Sequence, residues 1–100
     1  EPPGMVELKR LVLDVLKPHD PDIREFAAAA ARCDGVAGVN AVLVETDREV
    51  QNVKFTVEGQ AIADDAVEAA IDDLGGTVHS IDEVVMGDEF VEQSETPQDP

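Results

Sequence analysis

The sequence contains no tryptophan and no tyrosine, and three phenylalanines make up its whole aromatic complement. Any core must therefore be aliphatic, with Phe26 and Phe55 as its bulky rings. Cysteine is almost as scarce. Cys33 stands alone, which excludes an intrachain disulfide, a paired-cysteine metal site and the Cys-x-x-Cys loop of metal chaperones. No run of about 18 apolar residues occurs, so no helical membrane span is expected. The N-terminus lacks a basic segment followed by an apolar one, so no signal peptide is read there and a cytoplasmic location is the expectation. Glycine-rich phosphate loops, nucleophile elbows and Ser-His-Asp spacings are also missing. Positive charge is the last scarcity: 7 basic residues face 23 acidic ones, a net charge of −16. Nucleic acid and anionic membranes, which need clustered Lys and Arg, are poor partners for such a chain.

What is present is aliphatic and periodic. Hydrophobic residues make up 43% of the 100 positions, too many for a disordered acidic chain. A single domain with its own core fits this length. The acidity reads as adaptation to very high salt, where the Debye length falls to about 3 Å at 1 M and carboxylates crowd with little repulsion.

The organising stretch is Leu11-Val12-Leu13-Asp14-Val15-Leu16, a strand apolar on both faces except at Asp14. It is read from about Glu7 to Leu16 and ends at Lys17-Pro18. Asp20-Pro21-Asp22 predicts a helix start with Asp20 as N-cap. Ile23, Phe26, Ala27 and Ala30 form its inward stripe, the helix ending near Cys33 with Gly35 as the stop. Val39 to Thr46 reads as a second strand, Asp47-Arg48-Glu49 as a hairpin turn, and Val50 to Glu58 as a third strand of period two. A second helix follows from Ala63 to Leu74, with Val67, Ala70, Ile71 and Leu74 inward and Gly75-Gly76 as its stop. Thr77 to Val85 is the fourth strand.

The order β-α-β-β-α-β, with right-handed crossovers, gives an α+β sandwich of ferredoxin-like form. Its four-stranded antiparallel sheet carries both helices on one face. Residues 7–87 form this domain. Residues 1–6 are expected to be a disordered leader, with Met5 a natural start, and residues 88–100 a disordered acidic tail with Phe90-Val91 able to dock. Leu11, Leu13 and Val15 then face the helices with Val53, Phe55 and Val57. Val12, Asp14 and Leu16 lie on the open face beside Lys54, Thr56 and Glu58, and Val12, Leu16 and Leu43 are expected to form an exposed apolar patch there. No aromatic lies on that face, which argues against base stacking.

Leu11 to His19, Gly38-Val39-Asn40, Leu43 to Asp47, Asn52-Val53-Lys54 and Gly75 to Val85 together resemble the small archaeal proteins of domain-of-unknown-function family 211. The likeness runs from about Lys9 to Gly87. It implies a ferredoxin-like domain that assembles into ring-shaped homo-oligomers in archaea and has no assigned activity. The acidity and the tail depart from that pattern and point to a salt-loving archaeon.

Chemistry-bearing residues are few. Asp14, His79, Asp82 and Glu83 fall on neighbouring strands and are the candidate metal ligands, suited to calcium or magnesium. Val78, Ile81 and Val85 do not alternate cleanly, so a bulge is expected and the faces of Asp82 and Glu83 stay open. Asp14 with Lys54 is a candidate ion pair or ligand anchor. With two histidines and no convincing acid–base pair, the sequence favours a non-catalytic module that assembles with itself and binds a divalent cation or a small ligand. The alternative is a metal-dependent enzyme whose site forms between subunits.

Overall fold

The computed structural model describes residues 6–94. The expected leader up to Met5, and the tail from residue 95 onward, lie outside them. Along the chain come β1 (Leu8–Pro18), α1 (Ile23–Ala31), β2 (Val36–Thr46), β3 (Val50–Gly59), α2 (Asp64–Asp73) and β4 (Thr77–Met86). The strands form one antiparallel sheet in the order β2-β3-β1-β4, so β1 and β3 are central. This is the ferredoxin-like α+β arrangement.

The two faces follow from strand parity. In the β1–β3 register Leu11 opposes Val57, Leu13 opposes Phe55 and Val15 opposes Val53. All six are buried and join Phe26, Ala30, Ile62, Val67 and Ile71 in one core. The intervening pairs, Arg10 with Glu58, Val12 with Thr56, Asp14 with Lys54 and Leu16 with Asn52, lie on the face without helices.

Local chemistry sets the helix ends. Asp22, not Asp20, caps α1: its Oδ1 accepts from the amides of Arg24 at 2.9 Å and Glu25 at 3.3 Å. Pro21 sits just before the cap, so the loop runs two residues further than proline-at-first-turn reasoning allows. At the end of α2, Gly75 has φ +92° and its amide donates to the Asp72 carbonyl, while Gly76 donates to Ile71. That is the Schellman closure, and the left-handed position is one glycine takes at little cost. A Cβ on Gly76 would stand 2.7 Å from the Phe26 ring, so this turn presses directly on the core.

Strand β2 begins three residues before the expected Val39, at Val36. The larger consequence is one of lengths. The 11-residue strands β1 and β2 run about 37 Å at 3.4 Å per residue. Helices of 9 and 10 residues reach only about 15 Å. The helix layer is too short to cover the sheet, and two diagonally opposed corners stay bare. At the hairpin end of β2 and β3, Leu43 and Val44 are exposed beyond the helices, with Val42 and Val50 exposed on the opposite face; at the far end of β4, Ile81, Val84, Met86 and the adjoining Val6 are exposed.

Candidate functional site

Strand β4 is irregular, as its broken alternation predicts. Its register with β1 shifts between Val12 and Leu13 and again between Asp14 and Val15, leaving Asp82 and His79 as the extra residues. Glu83 opposes Val12 and Ser80 opposes Asp14 on the open face, while Ile81 and Val84 turn to the helix side. The Ser80 hydroxyl donates to Asp82 Oδ1 at 2.7 Å.

These bulges divide the four candidate ligands into two pairs. Asp14 and His79 line a cleft of about 200 Å³ with Leu16, Glu45, Asp47 and Asn52. Asp82 and Glu83 line a second, of about 460 Å³, with Val12, Lys54 and Val91. Among the described residues no three His, Cys, Asp or Glu side chains stand close enough to hold a metal ion. Each pair by itself offers a cation only two such side chains.

Asp14 and Lys54 are cross-strand neighbours, yet no ion pair joins them among the described residues. Asn52 Nδ2 donates to Asp14 Oδ1 in a short hydrogen bond instead and reaches the Val15 carbonyl at 3.3 Å. Lys54 is exposed.

The expected apolar patch is redrawn. Val12 lies on the open face but is only 4% exposed. Leu43 opposes Val53 and so lies on the helix side, at the bare corner; Val42, opposite Lys54, is the open-face residue. A β2 bulge between Leu43 and Glu45 adds Val44 to that corner. Leu16 is half-buried and lines the Asp14 cleft.

Two cations that motif reasoning passed over hold central positions. Arg10 Nε meets Glu58 Oε2 at 2.6 Å, and its outer nitrogens take both oxygens of Glu92 at 2.7 and 2.9 Å. Glu83 approaches at 3.6 Å and the Phe90 ring centroid at 5.4 Å. The arginine pulls the Glu92 carboxyl below its usual range. Residues 88–94 thus carry no helix or strand, yet bear on the sheet through Phe90 and Glu92.

Lys17 is the second. It shares the core parity of Leu13 and Val15, which is the signal that could have found it, and it is fully buried. Its Nζ donates to the Pro18 carbonyl at 2.6 Å and to Gln51 Oε1 at 2.9 Å, and lies 5.1 Å from the Phe26 ring centroid. Burial lowers its pKa, with Asp22 and Asp20 acting in the opposite sense. A lysine with a depressed folded pKa binds its proton less tightly folded than unfolded, so stability rises with pH from that depressed value up to about 10.5. Lys17→Met removes this term. Urea melts from pH 7 to 10 should show wild type gaining on the variant as pH rises; a constant difference would contradict a lysine whose pKa is depressed by this core.

At the loop tips His19 Nε2 lies 2.7 Å from the Asp47 carbonyl, tying the β1–α1 loop to the hairpin. Asp47 Oδ1 accepts from the amides of Glu49 and Val50, each at 3.0 Å, and these bonds hold its carboxyl below the usual range. Both groups are occupied in shaping the turn.

With this geometry in place, comparison with known proteins is decisive for kinship. The family model described as DUF211, Uncharacterized ArCR, matches residues 9–100. The chain belongs to the DUF211 family. An uncharacterised protein of the archaeon Methanocaldococcus jannaschii, MJ0319, is 46% identical over 92 residues, covering 92% of this chain and 95% of that protein. Membership gives the DUF211 chain archaeal kin and no assigned chemistry. Among its described residues no helix is long and apolar enough to cross a membrane.

Proposed function

We propose that this DUF211 protein is a non-catalytic module of a salt-adapted archaeon that closes into a ring of identical copies. The observation that carries the reading is the pair of bare corners. Eight exposed aliphatic and methionine side chains gather at two places, Val42, Leu43, Val44 and Val50 around both faces of the hairpin end and Val6, Ile81, Val84 and Met86 at the far end of β4. The second corner is a groove of about 440 Å³ floored by Leu8, Leu11 and Ile62. Two different patches on opposite edges favour a head-to-tail contact, which generates a ring when the rotation closes. Covering them gains about 25 cal/mol per Å² of apolar surface.

Divalent cations are the proposed second partner. Calcium or magnesium would bridge the acidic rims of adjoining copies, with Asp14 and His79 or Asp82 and Glu83 supplied by one copy and the remaining oxygen ligands by its neighbour. Light scattering in molar potassium chloride tests both parts. The expected result is a mass several times that of one chain, lowered by a chelator and restored by calcium or magnesium chloride. A monomer under all these conditions would remove the proposal. The competing reading, a metal-dependent enzyme with its site between subunits, requires turnover of a compound that also stabilises the protein in a thermal-shift screen of metabolites. Stabilisation without turnover supports the binding module.

A further inference from the structure

The open face of the sheet holds a contradiction. It carries no helix, yet two of its apolar residues, Val12 and Val85, are 4% and 5% exposed, and neither belongs to the helix-side core. What lies over this face is the chain's own segment 88–94. Phe90 covers the Arg10 guanidinium, Glu92 grips its outer nitrogens, and Val91 shares a cleft with Val12. Gly87, at φ +106° and with its amide bonded to the Glu7 carbonyl at 2.9 Å, turns the chain at the end of β4.

The charges beneath this strap form a pattern. On the two central strands Arg10 opposes Glu58, and four residues along, Asp14 opposes Lys54. Plus and minus therefore sit at alternate corners of a rectangle with Val12 and Thr56 between them. Such a rectangle is complementary to itself. A half-turn about an axis above the open face and midway between the two copies, parallel to the strands and between β1 and β3, sets Arg10 over the partner's Glu58 and Asp14 over the partner's Lys54. Sheets packed face to face lie about 10 Å apart, a distance these side chains can bridge. Arg10 is already arranged for it. Its Nε is satisfied by Glu58 of its own chain at 2.6 Å, while Nη1 and Nη2 offer a fork to a second carboxylate.

We infer that the open face is a two-fold interface for a second copy of this chain, and that residues 88–94 are a latch closing it in the free protein. Glu92 occupies on Arg10 the place that the Glu58 carboxylate of the second copy would take. The contact is separate from the corner-to-corner contact proposed above, and neither requires the other. Glu83 and Glu45 add negative charge to the outer strands of this face, so the contact belongs to high salt.

The test is mass by light scattering in molar potassium chloride, with circular dichroism as the check on folding. Phe90→Ser with Glu92→Gln opens the latch without touching the core. This variant should show about twice the mass of wild type, from ring to paired ring or from monomer to dimer. Adding Arg10→Glu sets like charges against Glu58 and should return the mass to the wild-type value. Adding Glu58→Arg to that variant exchanges the two charges, rebuilds the pattern and should double the mass again. Glu92→Gln alone serves if the double substitution impairs folding, with a smaller shift in the same direction. An unchanged mass in the latch-open proteins overturns the inference, as does a doubling that survives Arg10→Glu. If wild type is monomeric the ring is lost, but doubling to a dimer would still stand.

Discussion

In dilute buffer the protein is expected to lose its fold, and molar potassium chloride should restore it with a melting temperature tens of degrees higher. The chain carries −16 on a body only 18 Å deep along its shortest axis. At 0.01 M ionic strength the Debye length is about 30 Å, so every carboxylate repels every other across the molecule. One pair of like charges 10 Å apart in water costs about 0.4 kcal/mol, and an excess of this size makes many such pairs. Their sum rivals the roughly 5–15 kcal/mol by which domains are stable. The cations give little relief. Lys17 is buried, and Arg10 and Arg24 are already engaged by carboxylates. Asp72 and Asp73 close α2 at the end where the helix dipole disfavours negative charge. At 1 M salt the screening length of about 3 Å leaves only contact pairs interacting. Each kcal/mol recovered raises the melting temperature by about 4–8 °C for a domain of this size. Circular dichroism melts in the two buffers decide it, and identical melts would remove salt adaptation as the reason for the acidity.

The faces of the central strands were legible because their chemistry alternates residue by residue. Val53, Phe55 and Val57 against Lys54, Thr56 and Glu58 give one solution, and β1 falls into register with it. The helix stripes and the stop at Gly75 were equally local, whereas Gly35, read as the stop of α1, lies three residues past its Arg32 cap in the turn into β2. The strap was not. Arg10 and Glu92 are 82 residues apart, and nothing in the local pattern of an acidic tail marks one glutamate as the partner of one arginine. Leu43 was misplaced for a related reason. Its face depends on the offset with which β2 pairs with β3, and the bulge beside it makes inward and outward positions ambiguous from sequence. The candidate ligands suffered likewise: bulges at His79 and Asp82 separate residues whose strands are adjacent. The bare corners come from unequal element lengths, which only accurate ends reveal, and end residues are where local signals compete. Asp20 reads as the cap of α1 from its place before Pro21, and the loop geometry gives that role to Asp22.

The ring makes a prediction that separates head-to-tail contact from every symmetric alternative. Leu43→Asp places a charge at the β2 corner and Ile81→Asp places one at the β4 corner. Both positions are about half exposed, 46% and 54%, so neither change should move the fold's own stability by more than about 0.5 kcal/mol. In an assembly each carboxylate would be buried against apolar side chains, at a cost of several kcal/mol. Each variant alone should therefore be monomeric in molar salt. Their equimolar mixture should not be. The Leu43→Asp chain keeps an intact β4 corner and the Ile81→Asp chain an intact β2 corner, so one good contact forms between them and none remains to extend it. The expected species is a heterodimer, read directly as a doubling of mass on mixing. A corner that paired with its own copy would behave differently: one of the two variants would still dimerise alone, and mixing would add nothing. Retention of the full wild-type mass by both single variants would place the assembly contact elsewhere on the molecule.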